Sequence, residues 1–102
     1  GSRLQSATKD LVAGVDYLHG LACPVLHRDL KAANLLVHSD GRVVVADFGC
    51  STTLEEERCR KHGELVGSVP WMAPEVIMKT KYGLAADVWS MGCTILEMAT
   101  AE

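Results

Sequence analysis

The sequence predicts an α+β fold, mainly helical, with one small β-hairpin and one long stretch that is neither helix nor strand. Three observations carry this expectation. Residues 3–19 and 85–100 space their apolar side chains as helices do. Residues 35–37 and 43–45 are short β-branched runs around an Asp-Gly turn. Residues 47–70 show neither period and carry many charges, and so long a loop in a compact domain is usually functional or disordered.

In the first helix, Leu4, Leu11, Val15 and Leu18 share one face, with Ala7 between them. Gly20 and then Pro24 stand where a helix ends, and His19 suits the negative end of the helix dipole. Val25-Leu26 is a short apolar run that His27-Arg28-Asp29-Leu30-Lys31 interrupts with charge. Leu35-Leu36-Val37 and Val43-Val44-Val45 read as the hairpin strands, with Ser39-Asp40-Gly41 as their turn. Pro74 opens a short helix through Met78, since proline fits the first helical turn, and Tyr82-Gly83 marks a break. In the last helix Ala85, Ala86, Val88, Trp89, Met91, Cys93, Ile95, Leu96 and Met98 cover nearly every face, with Asp87, Ser90, Thr94 and Glu97 as its polar residues. A helix apolar all round is expected to be buried, and this one asks for more partners than 102 residues readily supply.

Hydrophobic residues make up 48% of the chain but aromatics only 5%, so the core must be thin and aliphatic. A net charge of −3 offers no basic footprint for nucleic acid. The cluster Arg58, Arg60, Lys61 and His62 lies beside Glu55, Glu56 and Glu57 and reads as a solvated loop. Cys23, Cys50, Cys59 and Cys93 form no C-x-x-C pair and no zinc template, so reduced thiols are expected, with Cys93 as a small core residue. No signal peptide or membrane-spanning run is visible, so the expectation is a cytoplasmic protein with no membrane partner. The opening Gly1-Ser2-Arg3-Leu4 looks like a cut edge.

Three blocks then occur in a fixed order. His27-Arg28-Asp29-Leu30-Lys31-Ala32-Ala33-Asn34 fits H-R-D-L-x-x-x-N, Asp47-Phe48-Gly49 fits D-F-G, and Ala73-Pro74-Glu75 fits A-P-E. Gly67-Ser68-Val69-Pro70-Trp71-Met72 and Asp87-Val88-Trp89-Ser90-Met91-Gly92 add to the pattern. On these residues the sequence resembles the eukaryotic protein kinase family over nearly its whole length. The resemblance implies a partial kinase domain over 1–102, a piece of the C-terminal lobe. Its catalytic loop would be 27–34, its activation segment 47–75 and its buried helix about 85–100.

The resemblance also implies roles. Asp29 would accept the substrate hydroxyl's hydrogen bond and later its proton. Asp47 and the amide oxygen of Asn34 would ligate Mg²⁺, and hard oxygen donors suit that ion. Lys31 would steady the transferring phosphate, and a lysine here resembles the Ser/Thr-specific class. Ser68 would place a hydroxyl near Asp29 and Lys31. Phe48 and His27 would stack, Gly49 would supply backbone freedom, and Asp87 would anchor the loop by accepting backbone hydrogen bonds. The bland reading of Asp87 is a helix N-terminal charge. Implied cofactors are ATP and Mg²⁺, and the implied partner is a protein substrate, itself a kinase. The strings 71–77 and 89–98 resemble kinases of the MAP-kinase-kinase-kinase type.

Within 47–75 two readings stand open, beside the bland one of a merely solvated acidic run. Arg28 often pairs with a phosphate in this segment of kinases. Thr52 or Thr53 would then be a phosphosite, or Glu55, Glu56, Glu57 or Glu64 would supply a standing negative charge. No glycine-rich phosphate loop and no V-A-x-K strand occur in the 102 residues, so the N-terminal lobe is expected elsewhere. Glu75 lacks the later arginine that it would pair with, since the end of the lobe is expected to be absent too. The fragment alone is expected to be inactive, poorly folded or self-associating. Two other classes compete: a pseudokinase or scaffold on the same fold, and an unrelated metal-binding domain using His27, Asp29 and Asp47.

Overall fold

A computed structural model describes residues 2–61, 65–78 and 81–101. Helix α1 spans Ser2–His19, strand β1 Val25–Leu26, β2 Leu35–Val37, β3 Val43–Val45 and β4 Thr52–Thr53. Helices α2 (Leu54–Cys59), α3 (Pro74–Ile77) and α4 (Leu84–Ala101) complete the order, with 3₁₀ turns at Ala32–Asn34 and Val69–Trp71.

The hairpin forms where the Asp-Gly turn requires it. β2 and β3 pair antiparallel with Leu35 opposite Val45 and Val37 opposite Val43. Gly41 takes φ +91°, a left-handed value that glycine reaches without a side-chain clash. Arg42 closes the turn by donating its backbone N–H to Asp40 Oδ1 (3.1 Å) and its Nε–H to Oδ2 (2.8 Å). These contacts hold the Asp40 carboxyl below the usual carboxylate range, the backbone hydrogen bond contributing most.

Helix α1 lies against β3. Asp10 Oδ2 accepts the Val43 N–H at 2.9 Å, and a methyl group on Gly14 would press on Val45. Leu11, Val15 and Leu30 are buried there, with Leu35, Val45, Met91, Ile95 and Met98 packed round them. A second cluster joins Leu26, Met72, Ala73, Val76, Tyr82 and Ala86, flanked by Leu54 and Leu84. The core is therefore two small, mainly aliphatic groups, with Tyr82 as an aromatic member of the second. The loop after β1 runs between them.

Two expectations are corrected. The stretch 47–70 is not structureless: β4 pairs antiparallel with β1, α2 follows it, and the Val69–Trp71 turn lies near its end. Thr53 caps α2 by accepting the Glu56 N–H on its hydroxyl, and Glu55, Glu56 and Glu57 sit at the positive end of the helix. Six residues are too few to show a helical period, so only the cap and the acidic first turn could have revealed it. The last helix, in turn, is not covered on all sides by the described residues. Its buried residues are Ala86, Asp87, Ser90 and Thr94, while Val88 (49%), Trp89 (49%) and Leu96 (67%) are exposed. Asp87 and Ser90 face inward to partners in other segments, and Thr94 is tolerated there because its hydroxyl is satisfied within the helix. Ser90 donates its hydroxyl to Trp71 O (2.6 Å), Thr94 donates to Ser90 O (2.7 Å), and Asp87 accepts backbone N–H groups. Cys93 is partly buried, and all four thiols are free. Among the described residues no helix is long and apolar enough to cross a membrane.

The uncovered Val88, Trp89 and Leu96 generate a prediction. The 102-residue polypeptide should associate with rising concentration in sedimentation velocity, and Val88→Glu with Leu96→Glu should shift it toward monomer. A wild-type chain that sediments as a monomer at every concentration would contradict this.

Candidate functional site

The site is built on the loop between β1 and β2. Leu26 is fully buried at the end of β1, and the next residues, His27 and Arg28, are buried as well. Their backbone N–H groups donate to one carboxylate: His27 N–H to Asp87 Oδ2 (2.8 Å) and Arg28 N–H to Asp87 Oδ1 (3.0 Å). His19 Nε2 lies 2.9 Å from the same Oδ2, so the end of α1 meets the start of α4 there. Asp87 is fully buried and engaged through both oxygens, unlike a solvated charge at a helix end. Burial, and then the charge of Asp87, push the Tyr82 phenol far above its ordinary value.

Arg28 has φ 70°, in the left-handed region that costs a non-glycine residue about 1–3 kcal/mol. The two bonds to Asp87 fix this kink, which turns the chain so that Asp29 follows buried Arg28. The Arg28 side chain is held too. Nε donates to Cys50 O at 2.6 Å and Nη1 to Glu57 Oε1 at 3.4 Å. Burial lowers its pKa, with Arg60 adding repulsion.

The next turn gathers polar groups. Asp29 Oδ1 accepts the Ser68 hydroxyl at 3.0 Å, and Oδ2 accepts Asn34 Nδ2 at 3.1 Å. Asn34 Nδ2 also donates to the Asp29 carbonyl at 2.7 Å. Lys31 Nζ donates to Ser68 Oγ at 2.8 Å and stands 5.8 Å from the Trp71 ring centroid, within cation–π range. One hydroxyl is thus bridged between an ammonium and a carboxylate. Glu97 Oε1 accepts both the Ala32 N–H (3.0 Å) and the Trp71 indole N–H (2.9 Å), tying this turn to the 69–71 stretch.

His27 is fixed by two opposite contacts. Its Nδ1 accepts the Asp29 N–H at 3.1 Å, and its Nε2 lies 2.7 Å from the Ala46 carbonyl oxygen. A carbonyl only accepts, so Nε2 carries the proton in this arrangement. The ring meets Phe48 edge-on, with centroids 5.0 Å apart.

Asp47 reaches the same end of the molecule through the hairpin. Ala46 N–H donates to Asn34 O at 2.9 Å, so the residues flanking β2 and β3 are backbone neighbours. Asp47 is exposed with φ 54°. Asn34 spends its amide nitrogen on Asp29, and no side chain or backbone group among the described residues bonds its amide oxygen. No group of three His, Cys, Asp or Glu residues that could hold a metal occurs among the described residues. That weighs against a metal-binding domain built on His27, Asp29 and Asp47. One carboxylate and one amide oxygen do fit Mg²⁺, which keeps several waters and takes phosphate oxygens.

Sequence reasoning placed Asp29, Lys31, Asn34 and Ser68 together, and the structure brings them into contact. Thr52 is buried, and its hydroxyl donates to Glu56 Oε2 at 2.9 Å, while Thr53 is a helix cap. Glu75 is partly buried, with no hydrogen bond or ion pair to its carboxylate among the described residues. Glu64 and His62 lie outside the described residues. Gly49, expected to supply backbone freedom, does not have a positive φ, whereas Gly67 does (φ +100°), and a side-chain carbon there would collide with the Arg28 carbonyl oxygen. Gly67, Glu97 and the Trp71 indole were not singled out as site residues. Glu97 had a signal, as a lone acid in an apolar helix, whereas Gly67 had none beyond its place before Ser68.

Gly41 and Gly67 supply a matched pair for testing this packing. Both have positive φ, but nothing lies near Gly41. Gly41→Ala should cost about 1 kcal/mol in denaturant unfolding, the cost of backbone strain alone. Gly67→Ala should cost clearly more, and equal losses would contradict the close approach to Arg28.

Against this geometry the comparisons are specific. The protein kinase domain family matches residues 2–102. The chain is 50% identical over 92 residues to the serine/threonine-protein kinase sid1 of Schizosaccharomyces pombe, covering 89% of the chain and 19% of that protein. It is 46% identical over 99 residues to mitogen-activated protein kinase kinase kinase 1a of Physcomitrium patens, covering 96% of the chain and 12% of that protein. It is 41% identical over 102 residues to mitogen-activated protein kinase kinase kinase ANP1 of Arabidopsis thaliana, covering 99% of the chain and 15% of that protein. The chain therefore spans less than a fifth of the length of each of these relatives. With a family match over nearly every residue and relatives that are serine/threonine kinases, mostly MAP kinase kinase kinases, this chain belongs to the protein kinase family.

Proposed function

We propose that this chain is the catalytic-loop portion of a kinase C-terminal lobe, which within a complete domain transfers the γ-phosphate of ATP to serine or threonine hydroxyls of a protein substrate. Residues 27–34 are its catalytic loop and 47–75 its activation segment. The observation that carries the reading is the hydroxyl of Ser68, held between Lys31 Nζ at 2.8 Å and Asp29 Oδ1 at 3.0 Å. A substrate hydroxyl needs the same two things, a carboxylate to take its proton and a cation beside the phosphate it attacks.

Phosphoryl transfer demands positioning and charge stabilisation more than covalent chemistry from the protein. Asp29 orients the incoming hydroxyl and receives its proton. Asn34 holds Asp29 through its amide nitrogen and leaves its oxygen for a metal. Lys31 offsets negative charge on the transferring group, and Ser68 keeps Lys31 and Asp29 in register. Asp47 and Asn34 are the residues that would hold Mg²⁺, which when bound neutralises phosphate charge. His27 and Phe48 pack behind the site, and Asp87 holds its backbone. The relatives named as MAP kinase kinase kinases favour a kinase as the substrate, acting in a signalling cascade.

The test uses the complete domain that carries this segment. Asp29→Asn should lower kcat by about 10²–10⁴-fold with little change in KM for ATP. Asp47→Asn should remove Mg²⁺-dependent nucleotide binding. Wild-type turnover in the Asp29→Asn protein would overturn the reading. Nucleotide binding without any transfer by the wild-type protein would favour a scaffold. The 102 residues alone should not turn over, because they contain no glycine-rich phosphate loop.

A further inference from the structure

We propose that Glu57 is a built-in anion that positions Arg28, and through it Asp29, so that the site is set without phosphorylation at residues 51–53. The proposal rests on the kinase reading above and names the regulation of that same site.

Glu57 is 1% exposed, although it lies in a short surface helix of six residues. Its two oxygens reach three segments. Oε1 lies 3.4 Å from Arg28 Nη1 and 3.6 Å from Arg60 Nε, and Oε2 accepts the Tyr82 backbone N–H at 2.7 Å. A buried carboxylate is retained where partners satisfy it, and removing it leaves buried positive charge behind. Glu55 and Glu56, its neighbours in the same acidic run, are exposed. Only the third acid of the run is turned into the protein.

Arg28 is the residue this anion reaches, and Arg28 directly precedes Asp29. Its backbone is in the left-handed region, so its conformation depends on what grips it. Asp87 grips the N–H, and Cys50 O and Glu57 grip the guanidinium. Glu57 thereby links the loop, the β4–α2 stretch and the chain entering α4.

The hydroxyls that could carry an added phosphate are already in use. Ser51 Oγ donates to Phe48 O at 2.7 Å. Thr52 is buried, and its hydroxyl faces the Glu56 carboxylate at 2.9 Å, where a phosphate would meet like charge and lose its water. Thr53 Oγ1 accepts the Glu56 N–H as the α2 cap. These contacts favour a resident carboxylate over an added phosphate, the two readings that the sequence left level.

The test takes the complete kinase that carries this segment and strips it with phosphatase, intact mass confirming that no phosphate remains. Its kcat should stay within about twofold of the untreated protein, since no interaction in the transition state is lost. Glu57→Gln should lower kcat by about tenfold to a hundredfold, as misplacement of a reacting group does, with KM for ATP little changed, and Glu57→Asp should restore part of it. Loss of turnover on phosphatase treatment, recovered by phosphorylation at 51–53, overturns the proposal, as does an unimpaired Glu57→Gln enzyme. If Glu57→Gln fails to fold, the phosphatase arm on wild-type protein decides. A separate readout is amide exchange, where Glu57→Gln should release the amides of Arg28 and Tyr82 while α1 stays protected. If no form phosphorylates any substrate, the kinase reading has failed, and exchange alone judges Glu57. Unchanged protection at 28 and 82 then overturns its positioning role.

Discussion

The site depends on the buried carboxylate of Asp87. It is the acceptor for two consecutive backbone N–H groups, those of His27 and Arg28, and it also meets His19 from α1. Consecutive amides pointing the same way require a kinked backbone, and the kink appears as the left-handed φ of Arg28. A buried charge without partners would be strongly unfavourable. Three partners make it tolerable, and they also define the path of the chain toward Asp29. The apolar clusters on either side give the scaffold its stability, but they do not aim the side chains.

From that kink the polar groups follow in order. Asp29 points to Asn34 and Ser68, Lys31 points to Ser68, and His27 turns back to the Asp29 amide and the Ala46 carbonyl. Each group is held by at least one other member or by backbone. This satisfied network leaves two oxygen donors over: Asp47 is exposed, and the amide oxygen of buried Asn34 has no bonded partner among the described residues. Polar groups held by one another, with oxygen donors left over, suit a site that works by positioning and charge stabilisation.

Much of this was legible in the letters. The hairpin could be read because β-branched runs flank Asp40-Gly41, and the two long helices because their periods persist over many residues. Asp29, Asn34 and Asp47 stood out through motif spacing. Helix α2 was hidden because it is one short stretch whose only markers are the Thr53 cap and the acids of its first turn. The inward face of α4 was hidden because Asp87 and Ser90 are buried by hydrogen bonds with distant backbone, and Thr94 by bonding Ser90 O within the helix, which no periodicity reports. Gly67 was hidden because its requirement is the nearness of Arg28 O, a tertiary fact.

The shared oxygen of Glu97 has a mechanical consequence. Because Oε1 takes its hydrogen bonds from both Ala32 and Trp71, any movement of the Glu97 carboxylate alters both bonds at once. The Trp71 ring also lies beneath the Lys31 ammonium. One tryptophan thus braces the ammonium of the polar cluster and shares its acid with the turn beneath, so these two parts of the cluster rest on a common support.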